Sequence, residues 1–216
     1  MMTFDIKHQD EYSRGQLLLR AFFGVFYIMI PHGILIVLLS IGLLFVKFLT
    51  FWIILFTGKW NKGFFDYHVK MMRYQLRVQA RLMNLADGYP EFGLNGTDTH
   101  TSFDITYQED VSRGSMLLRA FFGMFYVGIP HGFILMFRMI GVFFCNFIGF
   151  WAILFTANYP KGMFDFVVKT YRWNYRVSAY LSYLTHTYPP FSGDVQPGEN
   201  LDLVDATVAN DEILDA

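Results

Sequence analysis

The chain has 216 residues, of which 54% are hydrophobic, 19% aromatic and only 16% charged, against roughly 25% charged in an ordinary soluble domain. Its one cysteine, Cys145, excludes an internal disulfide and any multi-cysteine metal or iron–sulfur cage. The net charge of −1 conceals segregation: Lys59 to Arg81 is basic apart from Asp66, whereas the stretch after Gly193 carries seven acids and no base.

The first residues are polar or mixed, and an apolar run follows from Leu17 to Thr57. Crossing a bilayer takes about 20 apolar residues, so this run of about 40 has length for two crossings. That length, and the lack of a small-residue cleavage site, separate it from a cleavable signal peptide. Gly42 supplies a turn, which predicts one helix from about Gln16 to Ser40 and a second from about Leu43 to Thr57. Arg14 precedes the run, Arg20 lies in its first turn, and Lys59 and Lys62 follow it. Cytoplasmic segments collect Lys and Arg, so this distribution favours an even number of crossings and hence a hairpin. The second helix is short, which keeps a re-entrant hairpin open. A rival reading breaks the chain at Pro31, leaving Arg20 to Ile30 as an interfacial half-helix and His32 to Thr57 as a single span.

Pro31 has no N–H and frees the carbonyl of Tyr27, and in lipid a freed carbonyl needs another partner. The neighbouring His32 is a candidate donor to a ligand or to the other half of the molecule; the plainer reading is a kinked helix with a satisfied core histidine. Trp52, and Trp60 just beyond the run, have the character of interface anchors. Lys62 to Ala86 then reads as an amphipathic helix, with Phe65, Val69, Met72, Leu76, Ala80 and Met83 on one face. Beside that face runs a stripe of Asp66, Lys70, Arg73, Arg77 and Arg81, a pattern suited to an anionic membrane surface. Asp66 and Lys70 are spaced for a weak i,i+4 pair. Tyr89-Pro90 stops this helix, and Gly93 to Thr101 is a polar linker.

The same elements then recur with an offset of 99 residues, and about half the paired positions from Phe4 to Phe92 are identical. Arg14, Arg20, Pro31 and His32 return as Arg113, Arg119, Pro130 and His131; Lys70, Arg73 and Arg77 return as Lys169, Arg172 and Arg176. Gly141 repeats the turn glycine, and Arg138 before it is placed to snorkel to the far interface. Two copies of one unit pack most simply about a pseudo-two-fold axis, with parallel repeats if each crosses twice. The expected fold is an all-α membrane protein: a first repeat over 1–92, a linker over 93–102, a second repeat over 103–192, and an acidic tail over 193–216 whose Leu201, Leu203, Val204, Ile213 and Leu214 suit docking on a partner.

The run Ser-Arg-Gly, Leu-Leu-Arg-Ala-Phe-Phe-Gly, Ile-Pro-His-Gly, Trp-x-Ile-Leu-Phe-Thr, Lys-Gly-x-Phe-Asp, Arg-x-x-x-Arg-Val and Tyr-Pro-x-Phe resembles a bacterial membrane family catalogued as domain of unknown function 4389. The second copy fits it better; the first departs at Asn61, Tyr74 and Glu91. The resemblance implies a bacterial inner-membrane protein and supplies no catalytic residue; the Lys and Arg distribution places the amphipathic helices and termini on the cytoplasmic side.

No H-E-x-x-H, phosphate-binding Gly loop, Cys pair or G-x-S-x-G is present. Ser13 and Ser112, beside Arg and Gly, have the place of helix N-caps rather than nucleophiles. The paired histidines alone do not argue for haem, so no cofactor or metal is expected, and nothing marks a nucleic-acid partner. The expectation is a non-catalytic membrane subunit that binds partner membrane proteins, or its own copies, and anionic lipid. Arg14, Arg20, Lys70, Arg73, Arg77, Arg113, Arg119, Lys169, Arg172 and Arg176 are its candidate phosphate ligands. The alternative is a lipid- or solute-handling transporter with a site at the repeat interface, where Pro31, His32, Pro130 and His131 would converge. Lys47 and Arg138 have no charged repeat mate, which places them outside any shared ion pathway.

Overall fold

The structure, a computed structural model, describes residues 1–197 and 199. In chain order it contains β1 (Met2–Ile6), α1 (Arg14–Gly24), α2 (Ile30–Thr57), α3 (Lys62–Leu82), β2 (Thr101–Ile105), α4 (Arg113–Gly123), α5 (Ile129–Thr156) and α6 (Lys161–Leu181). Five-residue wide turns, Val25–Met29 and Met124–Gly128, join α1 to α2 and α4 to α5, so each apolar run is one unbroken 44-residue helix. Both helices are long and apolar enough to cross a membrane. Residues 201–216, with five of the tail's acids and its apolar residues, lie outside the described residues.

The hairpin expectation is corrected here. Gly42 and Gly141 lie inside continuous helix and make no turn; their missing side chains admit Tyr67 and Phe166, whose atoms lie 2.9 Å from where a Cβ would stand. The rival break at Pro31 does not occur either. A proline ring collides with the carbonyl four residues back. The wide turn removes that collision, because Ile30 N–H bonds Val25 O, five residues back, and the helix continues. The freed carbonyls are met as the chemistry requires: the Tyr89 hydroxyl donates to Tyr27 O at 3.0 Å, and Tyr188 donates to Tyr126 O at 3.2 Å. The donors are thus the Tyr-Pro tyrosines. Tyr89→Phe and Tyr188→Phe each orphan one carbonyl. Each is expected to cost about 1–3 kcal/mol and to speed amide exchange in the wide turns, measured by hydrogen–deuterium exchange.

The all-α expectation is also corrected. β1 and β2, one from the start of each repeat, pair antiparallel with Phe4 opposite Phe103. Those two residues are repeat mates, so a local two-fold axis passes between them. Met2, Phe4 and Ile6 point inward with Thr101, Phe103 and Ile105, the two-residue alternation of a half-covered sheet.

About this axis the repeats exchange contacts reciprocally. Arg73 Nε donates to Phe103 O at 2.9 Å and Arg172 Nε to Phe4 O at 3.0 Å. Arg14 donates to Phe155 O at 3.1 Å and Arg113 to Phe56 O at 2.9 Å. Tyr12 N–H bonds Ala157 O, and Val111 N–H bonds Gly58 O. Each long helix therefore has its last carbonyls capped by the other repeat, and a single copy is left with open ends. A half-chain of residues 1–100 is expected to form a homodimer in detergent, detectable by light scattering; a stable monomer would contradict the exchanged architecture.

The helix ends follow local rules. Ser13 and Ser112 accept from Gln16 and Ser115 N–H as N-caps, and Asn61 caps α3. On α3, Phe65, Val69, Met72, Leu76 and Ala80 enter the shared core, as their spacing predicts. Leu17 and Ile54, near opposite ends of the first long helix, enter that same core. The long helix therefore lies along the rest of the molecule with both ends attached to it, and its outer face, from Leu18 to Phe56, leaves large apolar side chains exposed.

Candidate functional site

Between α2 and α3 of one repeat and α5 and α6 of the other lies a cavity of about 600 Å³, within the usual range of small-molecule sites. Ile36, Leu43 and Met139 from the long helices and Met72, Val78 and Leu82 from α3 give it apolar walls; Gln75 and Gln79 of α3, Asn174 and Ser178 of α6 and Ser182 just after α6 supply hydrogen-bonding side chains. Lys47 and His68 are its ionisable residues apart from tyrosines, and no acid lines it. His68 is buried and its Nδ1 has no partner; the Tyr171 hydroxyl is likewise unpartnered. Burial, aided by the nearby Lys47 charge, pushes His68 down to about 3, so the ring is neutral at physiological pH.

The cavity is built where the repeats differ. Lys47 has Asn146 as its mate, His68 has Val167, and Tyr171 has Met72. A search for shared residues therefore passes over it. The available signal was the reverse one, a lysine inside an apolar run with no counterpart.

Most of the guanidiniums expected to face lipid phosphate are engaged within the chain. Arg20 is buried, pairs with Asp87 at 2.9 Å and donates to Asn84 and Ala86. Arg119 is buried over the Tyr180 ring and donates to Tyr180 O and Thr185 O. Arg77 donates to Gly93 O at 2.6 Å; Arg172 reaches Gly193 O and Asp5; Arg176 pairs with Glu199. Burial lowers the pKa of Arg77 and Arg172. The basic stripe fastens the strands and post-helix segments to α3 and α6, which corrects its assignment as an open cationic face. Arg73, at the edge of the stripe, pairs with Asp104 at 3.3 Å. Asp194 and Glu199 of the expected free tail are bound to Lys169 and Arg176. Lys70 bonds Asn95, and Asp66 pairs with Lys62 rather than Lys70. Arg14 and Arg113 remain exposed at the helix ends.

The two Pro-His kinks do not converge. His32 bonds Tyr74 at 2.7 Å and stacks on Phe92, all within the first repeat. His131 accepts from Trp173 Nε1 at 2.9 Å, bonds Tyr188 and stacks on Phe191, all within the second. Each histidine is a packing element of its own repeat, beside Pro31 or Pro130. Arg138 turns inward to Thr170 and the Phe166 ring instead of snorkelling. Trp60 and Tyr159 are core residues, whereas Trp52 and Trp151 are exposed. Among the described residues no group of three or more His, Cys, Asp or Glu side chains is placed to hold a metal.

A family model described as domain of unknown function (DUF4389) matches residues 15–93 and again residues 114–193. No curated protein and no solved structure matches the chain.

Proposed function

The chain belongs to the domain of unknown function (DUF4389) family, in two tandem copies, and from that premise we propose that it is a non-catalytic membrane platform, held in one leaflet of a bacterial inner membrane as a subunit of a larger assembly. The observation that carries the reading is the one-sided apolar surface of the long helices. From Leu18 to Phe56 the exposed face bears Phe22, Phe26, Ile34, Ile41, Phe48 and Trp52 at helical spacing. At 1.5 Å per residue that stripe is about 57 Å long, nearly twice the roughly 30 Å hydrocarbon thickness of a bilayer. The opposite face of the same helix is packed against the rest of the molecule, and both ends are tied to it. A helix so held fits a membrane lengthwise, with its outer face in acyl chains and the α3, α6 and strand side toward the cytoplasm. Burial of the stripe is worth far more than the surface charges, so attachment is expected to survive high salt. Arg14 and Arg113 are then the cations best placed for lipid phosphates, with Lys70 and Lys169 farther out.

Two measurements test this. Nitroxide labels placed singly at positions 22, 34, 44 and 52 in a Cys145→Ala background should report similar, shallow depths in vesicles. Depths that pass through the bilayer midplane would establish a crossing helix and refute the in-plane placement. Gentle extraction from the native membrane and mass spectrometry should recover stoichiometric partner proteins; a lone chain would remove the subunit role.

A further inference from the structure

We propose that the cavity between the repeats binds the acidic headgroup of a single-tailed or double-tailed amphiphile, with Lys47 as its counter-ion. Three observations support this. First, the lining is amphipathic: Ile36, Leu43, Met72 and Met139 are apolar, whereas Gln75, Asn174 and Ser178 offer hydrogen-bonding groups. Such a lining gives the tail of an amphiphile apolar contacts and its head polar ones. Second, the charge is unbalanced. Lys47 has no carboxylate within pairing distance among the described residues, and no acid lines the cavity. The described residues give Lys47 no anion, and a bound carboxylate or phosphate supplies one. Third, His68 and Tyr171 line this cavity, and the His68 Nδ1 and the Tyr171 hydroxyl are buried without a partner among the described residues. Buried polar groups are nearly always satisfied, and rotation of either side chain toward the cavity brings its donor to an oxygen-rich headgroup.

The ligand class follows from the residues. A divalent cation is excluded by the lack of acids, and a wholly polar solute would leave the rim of Ile36, Leu43 and Met139 uncovered. The inference relies on the membrane placement above only for the source of the ligand, so binding is tested without a membrane. The full chain in dodecyl maltoside is titrated with oleate, with dioleoyl phosphatidic acid and with dioleoyl phosphatidylcholine, and read by native mass spectrometry. One equivalent of oleate or phosphatidic acid is expected, at least tenfold tighter than phosphatidylcholine. Oleate alone would name a fatty carboxylate, and phosphatidic acid would name a phospholipid phosphate. Lys47→Gln should weaken the acidic ligand about tenfold or more, the scale of one charge-assisted hydrogen bond. Ser178→Phe, which narrows the cavity without changing charge, should weaken the one-to-one complex at least tenfold. Both positions are exposed, so both variants should melt with the wild type. Equal binding of phosphatidylcholine, unchanged affinity in Lys47→Gln, or no stoichiometric complex in the wild type would overturn the proposal. Flotation with vesicles, in which Lys47→Gln should behave as wild type, reports separately on the membrane placement.

Discussion

Asp98→Ala is expected to destabilise the protein by about 3–5 kcal/mol, among the largest effects of any single substitution. Asp98 lies in the linker and Arg81 near the end of α3, and their side chains are 4% and 5% exposed. Both guanidinium Nη atoms bond the carboxylate, which also accepts from His100 N–H and the Thr101 hydroxyl. Removing the acid leaves a buried cation with nothing to balance it, and frees the segment that leads into β2. The pH dependence has a definite sign. Burial acts to raise the Asp98 pKa, but the hydrogen bonds and charge of Arg81 outweigh it, and the pKa falls below its ordinary 3.8. A depressed carboxylate pKa contributes stability above the unfolded value, and that contribution is lost as pH falls through the folded one. Thermal unfolding in detergent, followed by circular dichroism, should therefore show a deficit for Asp98→Ala at pH 7 that shrinks below about pH 4. An equal deficit at both pH values would mean that packing, not the ion pair, is responsible. Arg81 has Tyr180 as its repeat mate, so this pair is a device of the first repeat alone.

Phe4→Ala is expected to cost about 3–5 kcal/mol, the usual penalty for deleting a buried aromatic ring. The Phe4 ring is 1% exposed, touches Phe103 edge-on at 6.4 Å and lies 5.1 Å from Tyr175. It stands at the local two-fold axis, where β1 and β2 meet and where Arg172 holds the Phe4 carbonyl. Its loss empties the one place where both repeats and both reciprocal arginine contacts meet. Phe103→Ala is the symmetric control and should cost a similar amount. A fall in melting temperature of roughly 10 °C is expected for a chain of this length. If Phe4→Ala melts like the wild type, the strand pair does not join the repeats.

Much of the architecture is a matter of local pattern, and local pattern is in the sequence. The offset that matches Phe4 to Phe103 and Arg14 to Arg113 specified two copies of one unit. The spacing of Phe65, Val69, Met72, Leu76 and Ala80 specified which face of α3 is buried. Ser13 and Ser112 specified where the long helices begin, and Pro31 specified that the Tyr27 carbonyl would need a partner. Each depends on neighbours within a few turns, or on comparison of one copy with the other.

What needed the tertiary structure was everything set by which surface meets which. Gly42 has turn chemistry, but a glycine inside a helix also admits a neighbour's ring, and Tyr67 decided between the two. The wide turn at Val25–Met29 is a backbone adjustment that leaves no composition signal. Arg77, Arg172 and Arg176 form a cationic stripe on any helical projection; only the return of distant segments such as Gly93, Phe4 and Glu199 made them internal anchors. The exchange of caps between repeats is equally invisible along the chain, since Arg14 and Phe155 are 141 residues apart. The cavity around Lys47 and His68 is the clearest case. Its walls come from four helices, and its polar groups occupy positions where the two copies diverge. Periodicity reports the face a residue occupies on its own helix, whereas a site between helices exists only once their packing brings those faces together.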